Sequence, residues 1–138
     1  MLYSLTTKYA VIALVELAER EAATPVRDIA RAREIPSAFL AKLVPQLVRA
    51  GILSSTRGKN GGISFARSPS RVSLADVVRT IEGEGYFREC VFELFPCDGR
   101  PGCPLHDLWD PLRDRIRDFL EDTTIKSVAD KLAAAKER

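Results

Sequence analysis

The stretch Ile35-PSAFLAKLVPQLVRAGILSSTRGKNGGISF-Ala66 decides the fold. Its first dipeptide breaks the chain, because a proline disfavours helical backbone in the residue before it. Ser37 is placed to cap a helix whose apolar residues Phe39, Leu40, Leu43, Val44, Leu47 and Val48 recur at helical spacing, and Gly51 stops it. Pro45 removes one backbone donor and crowds the carbonyl of Ala41, which predicts a kink or an early end there. Beyond Gly51, two apolar-bounded runs, 52–57 and 63–66, flank the glycine-rich turn 58–62, the pattern of a β-hairpin.

Working back toward the N-terminus, a short extended segment, Thr24-Pro25-Val26, leads to a helix near 27–33 with Ile29 and Ala30 facing inward. Residues 6–20 repeat apolar positions at helical spacing, with Thr6 or Thr7 as N-cap. Two helices joined by a short turn and followed by a hairpin make a winged helix-turn-helix. Toward the C-terminus, Ser73-Leu74-Ala75-Asp76 reads as a capping box opening a helix through Val77, Val78 and Ile81 that ends at Gly83. Residues 83–103 have no clear period and read as loop. From Pro104 a long amphipathic helix carries Leu105, Leu108, Trp109, Leu112, Ile116, Phe119 and Leu120, with Asp110-Pro111 as a kink or a restart. A further helix is expected over 124–135. The fold class is mainly α with a small β-hairpin wing. Three regions follow: a winged helix-turn-helix over 1–82, a cysteine-containing loop over 83–103, and a long helix with its tail over 104–138.

All three cysteines and the one histidine of the chain fall in Cys90-VFELFP-Cys97-DGRPG-Cys103-PL-His106. Thiolate and imidazole are the ligands that iron–sulfur clusters and zinc select. A zinc shell of three cysteines and a histidine is one reading, although the gaps of six and five residues exceed the usual zinc knuckles. Free thiols that sense oxidation through Cys97 and Cys103 are another. A cluster is favoured by Cys103, which precedes a helix whose N-terminal dipole suits an anionic centre, with His106 one turn in.

The net charge of +2 hides an asymmetry. Residues 1–72 hold 11 Lys and Arg against 5 Asp and Glu, and residues 73–138 hold 10 against 14. A basic first half is what phosphate binding requires, although a merely solvated surface fits the same count. No apolar run has the length of a membrane span. The start lacks the basic leader and small-residue cleavage site of a signal peptide, so the cytoplasm is the expected compartment and disulfides are not expected. No nucleotide-binding glycine motif or paired catalytic carboxylates are found, so an enzyme is not expected.

Four segments together resemble the IscR and NsrR type of winged-helix transcription regulators: LTTKYAVIAL, IPSAFLAKLVPQLVRAGIL, STRGKNGG, and the cysteine stretch with PLHDLW. The resemblance implies a homodimer paired through the long helix, and an iron–sulfur cluster that biases affinity for DNA. In IscR-like members three cysteines and a histidine hold a 2Fe–2S cluster, and the matching residues here are Cys90, Cys97, Cys103 and His106. The first gap is one residue longer than in IscR-like proteins. NsrR-like members use a carboxylate of the first helix for a 4Fe–4S cluster; the matching residue is Lys8, which favours His106 and 2Fe–2S, with 4Fe–4S as the alternative. IscR-like proteins carry an acidic residue in the recognition helix where this chain has Ala41, which removes the basis for switching between two operator classes.

The expected partner is double-stranded DNA with a near-palindromic operator, bound by a homodimer acting as repressor or activator. Candidate DNA contacts are Ser37, Ala38, Phe39 and Lys42 in the recognition helix, and Ser55, Arg57, Lys59 and Gly61 in the wing. Each has a plainer reading: Phe39 as a core aromatic, Ser37 as only a cap, Gly61 as a turn requirement, the cations as solvated charges. Candidate dimer residues are Leu108, Trp109, Leu112, Ile116 and Phe119. The rivals are a zinc or bare-thiol regulator, and an iron–sulfur electron carrier that would not bind DNA.

Overall fold

A computed structural model describes residues 4–88 and 104–137. Its elements run α1 (Leu5–Arg20), α2 (Val26–Ala32), α3 (Ser37–Arg49), β1 (Leu53–Thr56), β2 (Gly62–Phe65), α4 (Leu74–Glu82), α5 (His106–Asp122) and α6 (Ile125–Lys136). Short 3₁₀ turns occupy Pro69–Arg71 and Glu84–Arg88.

The α1–α2–α3 array and the hairpin close on one apolar core. Ala10, Leu14 and Leu17 of α1 meet Ile29 of α2, Leu40, Leu43 and Leu47 of α3, and Ile52 and Ile63 of the hairpin. Each fully buried Leu or Ile contributes about 1.5–3 kcal/mol relative to exposure. The strands pair antiparallel, Leu53 with Phe65 through Thr56 with Gly62. Thr24 adds a third strand position: its N–H donates to the Ile63 carbonyl at 3.0 Å, and the Ile63 N–H donates back at 2.9 Å. Gly62 has φ +137°, and a Cβ there would run into the Thr24 carbonyl, so only glycine lets this third segment lie so close.

The last helix returns to the same core. Thr124 caps α6 by accepting from the Ser127 N–H at 3.1 Å, and Ile125 is fully buried among the α1–α3 residues. Backbone bonds Ile125 N–H to Val72 carbonyl and Leu74 N–H to Thr123 carbonyl, both 2.9 Å, pin this return to the start of α4. A second, small cluster of Ala75, Val78, Phe87 and Leu120 joins α4, the 3₁₀ turn after it, and α5.

Several expectations need correction. The N-cap of α1 is Ser4, whose Oγ accepts from the Thr7 N–H at 3.2 Å; Thr7 instead lies buried and donates its hydroxyl to Glu82. Ser37 does not cap α3. Pro36 occupies the cap position and its carbonyl accepts from Phe39 and Leu40, so Ser37 is the first helical residue. Nor does Pro45 end α3, which continues to Arg49 because Leu40, Leu43, Val44 and Leu47 keep its inner face buried across the missing donor. Likewise α5 runs unbroken through Asp110 and Pro111, with no restart, and begins at His106 rather than Pro104. Residues 84–88 are a 3₁₀ turn, not irregular loop, because Phe87 is drawn into the small cluster. The capping box at Ser73 is as expected, both bonds to Asp76 measuring 3.0 Å.

Candidate nucleic-acid interface

Helix α3 divides cleanly into two faces. Leu40, Leu43, Val44 and Leu47 are buried, whereas Ser37, Ala38, Ala41 and Lys42 are exposed. Phe39 is half-buried, its ring edge-on to that of Tyr9 at a centroid distance of 5.4 Å. This is the plainer of its two readings, an aromatic at the border of the core.

The wing follows the same division. Leu53 and Ile63 anchor the hairpin, and every residue from Ser54 to Asn60 is exposed, including Ser55, Arg57 and Lys59. Gly61 is buried in the turn; its N–H donates to the Gly58 carbonyl at 3.0 Å, and a Cβ there would strike the Thr56 carbonyl. Gly61 therefore shapes the wing rather than lying on its surface.

Among the described residues, Lys42, Arg57 and Lys59 make no ion pair. The same is true of Arg31, Arg49 and Arg71, all exposed, which the sequence reading did not single out. Only the charge count of residues 1–72 hinted at them. By contrast, Arg33 is consumed in structure: it binds Glu16 at 2.8 Å and Glu19 at 3.4 Å, tying the end of α2 to α1. Burial opposes the charged Glu16, but hydrogen bonds and charge from Arg20 and Arg33 outweigh it and hold its carboxyl below the ordinary value. Exposed cations that make no ion pair are available to phosphate.

A second carboxylate secures α1. Glu82 Oε1 accepts from the Thr7 hydroxyl at 2.6 Å and the Ser4 N–H at 2.9 Å, so the last residue of α4 sits at the N-terminus of α1. Those bonds outweigh its burial and lower its pKa.

Cys90, Cys97 and Cys103 lie outside the described residues. His106 is half-buried at the first position of α5, where Leu105 supplies no side-chain cap. Among the described residues no three His, Cys, Asp or Glu side chains converge on one point. Lys8 is exposed on α1 and lines an apolar cavity of about 280 Å³ with Val11, Ile12, Leu74, Val78 and Phe119.

Along α5, Leu108, Leu112 and Phe119 are 71, 52 and 60% exposed, whereas Trp109 and Ile116 are half-buried and Ile116 packs on the small cluster. Large apolar side chains this open on one helix are only partly covered by the described residues. No helix among the described residues is long and apolar enough to cross a membrane.

Residues 3–131 match the family model Rrf2, described as iron-dependent transcriptional regulator. A protein of Aquifex aeolicus assigned as an HTH-type transcriptional regulator is 34% identical over 132 residues, covering 93% of this chain and 91% of its own. The HTH-type transcriptional regulator IscR of Pectobacterium carotovorum is 32% identical over 126 residues, covering 86% of this chain and 73% of its own. The structure of CymR, the global cysteine regulator of B. subtilis, superposes with a TM-score of 0.80 at 27% identity, covering 93% of this chain and 95% of that one.

Proposed function

The chain belongs to the Rrf2 family of transcriptional regulators, and from that premise we propose that it is a dimeric DNA-binding regulator whose operator affinity is set by an iron–sulfur cluster. The family is one of regulators, not enzymes. The observation that carries the DNA reading is the set of exposed cations without ion-pair partners among the described residues, Lys42 on α3 and Arg57 and Lys59 on the wing.

In this reading α3 enters the major groove with Ser37, Ala38 and Lys42 toward the bases and phosphates, and Phe39 braces the helix against Tyr9. Ser55, Arg57 and Lys59 meet the flanking minor groove, where a narrow groove attracts an arginine. Gly61 gives the wing its turn. Two protomers pair through Leu108, Trp109, Leu112, Ile116 and Phe119, presenting two recognition helices to a near-palindromic operator.

Cys90, Cys97, Cys103 and His106 would hold the cluster. The donor set fits it: three soft thiolates and one imidazole, with His106 half-buried at the start of a helix that has no side-chain cap. Lys8 occupies the position of the NsrR-type carboxylate and cannot ligate, which supports 2Fe–2S over 4Fe–4S. When bound, the group supplies a redox-responsive anionic centre. What the chain itself does is hold that centre next to α5, the helix that bears the open apolar residues.

A zinc or bare-thiol switch is the second reading, since the same three cysteines and one histidine would serve either. Visible absorption of anaerobically purified protein, with iron and acid-labile sulfide assayed on the same sample, separates the two. Matched iron and sulfide in a coloured protein is the expected result. A colourless protein without sulfide, even after anaerobic reconstitution, overturns the cluster.

A further inference from the structure

Glu21 and Lys126 each stand against the dipole of their own helix. Glu21 is the C-cap of α1, where the dipole is negative, and its φ of +56° is a left-handed backbone that glycine or asparagine usually fills. The carbonyls at that end are also not closed by the chain. The cap N–H of each later helix, from α2 to α6, donates back to a carbonyl of its own last turn. That of Glu21 makes no such bond among the described residues. Lys126 is the second residue of α6, where the dipole is positive, and the first turn of α6 has no acidic residue to offset it.

Both residues line one cleft. It has a volume of about 440 Å³ and lies between the end of α1, strand β2 of the wing, the 3₁₀ turn at Pro69–Arg71 and the start of α6. Small-molecule sites occupy roughly 300–1,000 Å³. The walls are apolar at Leu17, Ala18, Phe65 and Pro69, and Ser64 and Ser68 add hydroxyls. Glu21 and Lys126 make no ion pair with each other; Lys126 Nζ is instead 2.8 Å from Asp130. An ammonium has three donors, of which Asp130 takes one. Asp130 and, more weakly, Glu21 raise the Lys126 pKa, so the Glu21 charge is felt across the cleft without closing it.

An anionic corner and a cationic corner held apart over apolar walls select a molecule that carries both charges and an apolar body. A ligand with a single charge leaves one corner unmatched. We propose that this cleft binds a free α-amino acid with an apolar side chain. Its ammonium donates to the Glu21 carboxylate at the end of α1, its carboxylate accepts from Lys126, and its side chain lies on Leu17, Phe65 and Pro69. Because β2 is one strand of the wing, the bound molecule bears on the hairpin that carries Arg57 and Lys59. The binding itself rests on neither the DNA reading nor the cysteine centre.

The test is isothermal titration calorimetry of the full chain with L-leucine, L-valine, L-methionine and L-phenylalanine at millimolar concentration. Saturable binding at one site per chain is expected for at least one of them. Its amide, which lacks the carboxylate, and its desamino acid, which lacks the ammonium, are expected to bind about tenfold more weakly or worse, the scale of one charge-assisted hydrogen bond. Glu21→Gln and Lys126→Gln should each weaken binding of the parent amino acid to the same degree. Glu21→Gly separates binding from folding: it relieves the left-handed backbone, so the unfolding midpoint should hold or rise while binding is lost. Absence of saturable binding by all four amino acids overturns the proposal. So does an amide or desamino acid that binds as well as its parent, which makes the cleft a one-charge site. Binding that survives both Glu21→Gln and Lys126→Gln places the ligand elsewhere and overturns it too.

Discussion

The rings of Tyr9 and Phe39 meet edge to face, their centroids 5.4 Å apart and their planes at 78°. This contact joins α1 to the recognition helix one turn from its exposed residues Ser37, Ala38 and Lys42. Phe39 therefore braces α3 against α1. Phe39→Ala is expected to lower unfolding stability by about 2 kcal/mol, less than full truncation of a buried phenyl ring because Phe39 is half-buried. Phe39→Leu should recover most of it. Chemical denaturation that leaves Phe39→Ala as stable as the unaltered protein would return Phe39 to the role of a base-contacting side chain.

Glu82 and Glu16 both have carboxyls held below their ordinary value by hydrogen-bond donors that outweigh burial. A carboxyl lowered in the folded state stabilises fully above its unfolded pKa, and that contribution is lost as pH falls through the folded pKa. Stability is expected to hold from neutral pH down to about 4.5, the ordinary value, and to fall below it. Glu82→Gln should cost about 1 kcal/mol at neutral pH through its weakened bonds to Ser4 and Thr7, and should make the acid decline shallower. Thermal melts at a series of pH values check this; a decline of unchanged steepness would remove Glu82 from it.

Arg57 is exposed at the wing and makes no ion pair among the described residues, so its removal should spare the fold. Arg57→Ala is expected to weaken operator binding by about 1–3 kcal/mol and to reduce the salt slope by about one unit. Fluorescence anisotropy over a range of salt reads both. Unchanged affinity and slope would take the wing out of the interface.

Leu112 is 52% exposed on α5, between Leu108 and Phe119, and packs on neither hydrophobic cluster. Leu112→Glu is expected to shift the protein from dimer to monomer in sedimentation velocity while leaving its helical circular dichroism in place. A dimer undisturbed by this charge would move the interface off α5.

Much of the architecture was legible because periodicity reports burial directly. The alternation of inner and outer residues in α3, the glycine-rich turn and the Ser73 capping box were all readable in local sequence. What escaped reading depended on distant partners. Thr7 looks like a cap until Glu82, 75 positions away, claims its hydroxyl, and Ser4 caps in its place. Pro45 looks like a breaker until the buried face on both sides of it holds the helix together. The return of Ile125 into the first core rests on α1 and Val72, and the burial of Phe87 on α4 and α5, distant partners that one helical period does not reveal. Of the exposed cations that make no ion pair among the described residues, Lys42, Arg57 and Lys59 stood out by their setting in sequence, whereas Arg31 and Arg49 did not, since exposure is a property of the fold.

The proposed function ties affinity for DNA to the state of the cysteine centre. Its most direct measurement is the operator affinity of one anaerobic preparation, with the cluster bound and after its removal, at a single fixed salt concentration. The two affinities are expected to differ by about 5- to 150-fold, the range of a coupling of about 1–3 kcal/mol. Cys97→Ala should hold the protein at the cluster-free value. Equal affinities in the two states, with specific binding intact in both, would contradict it.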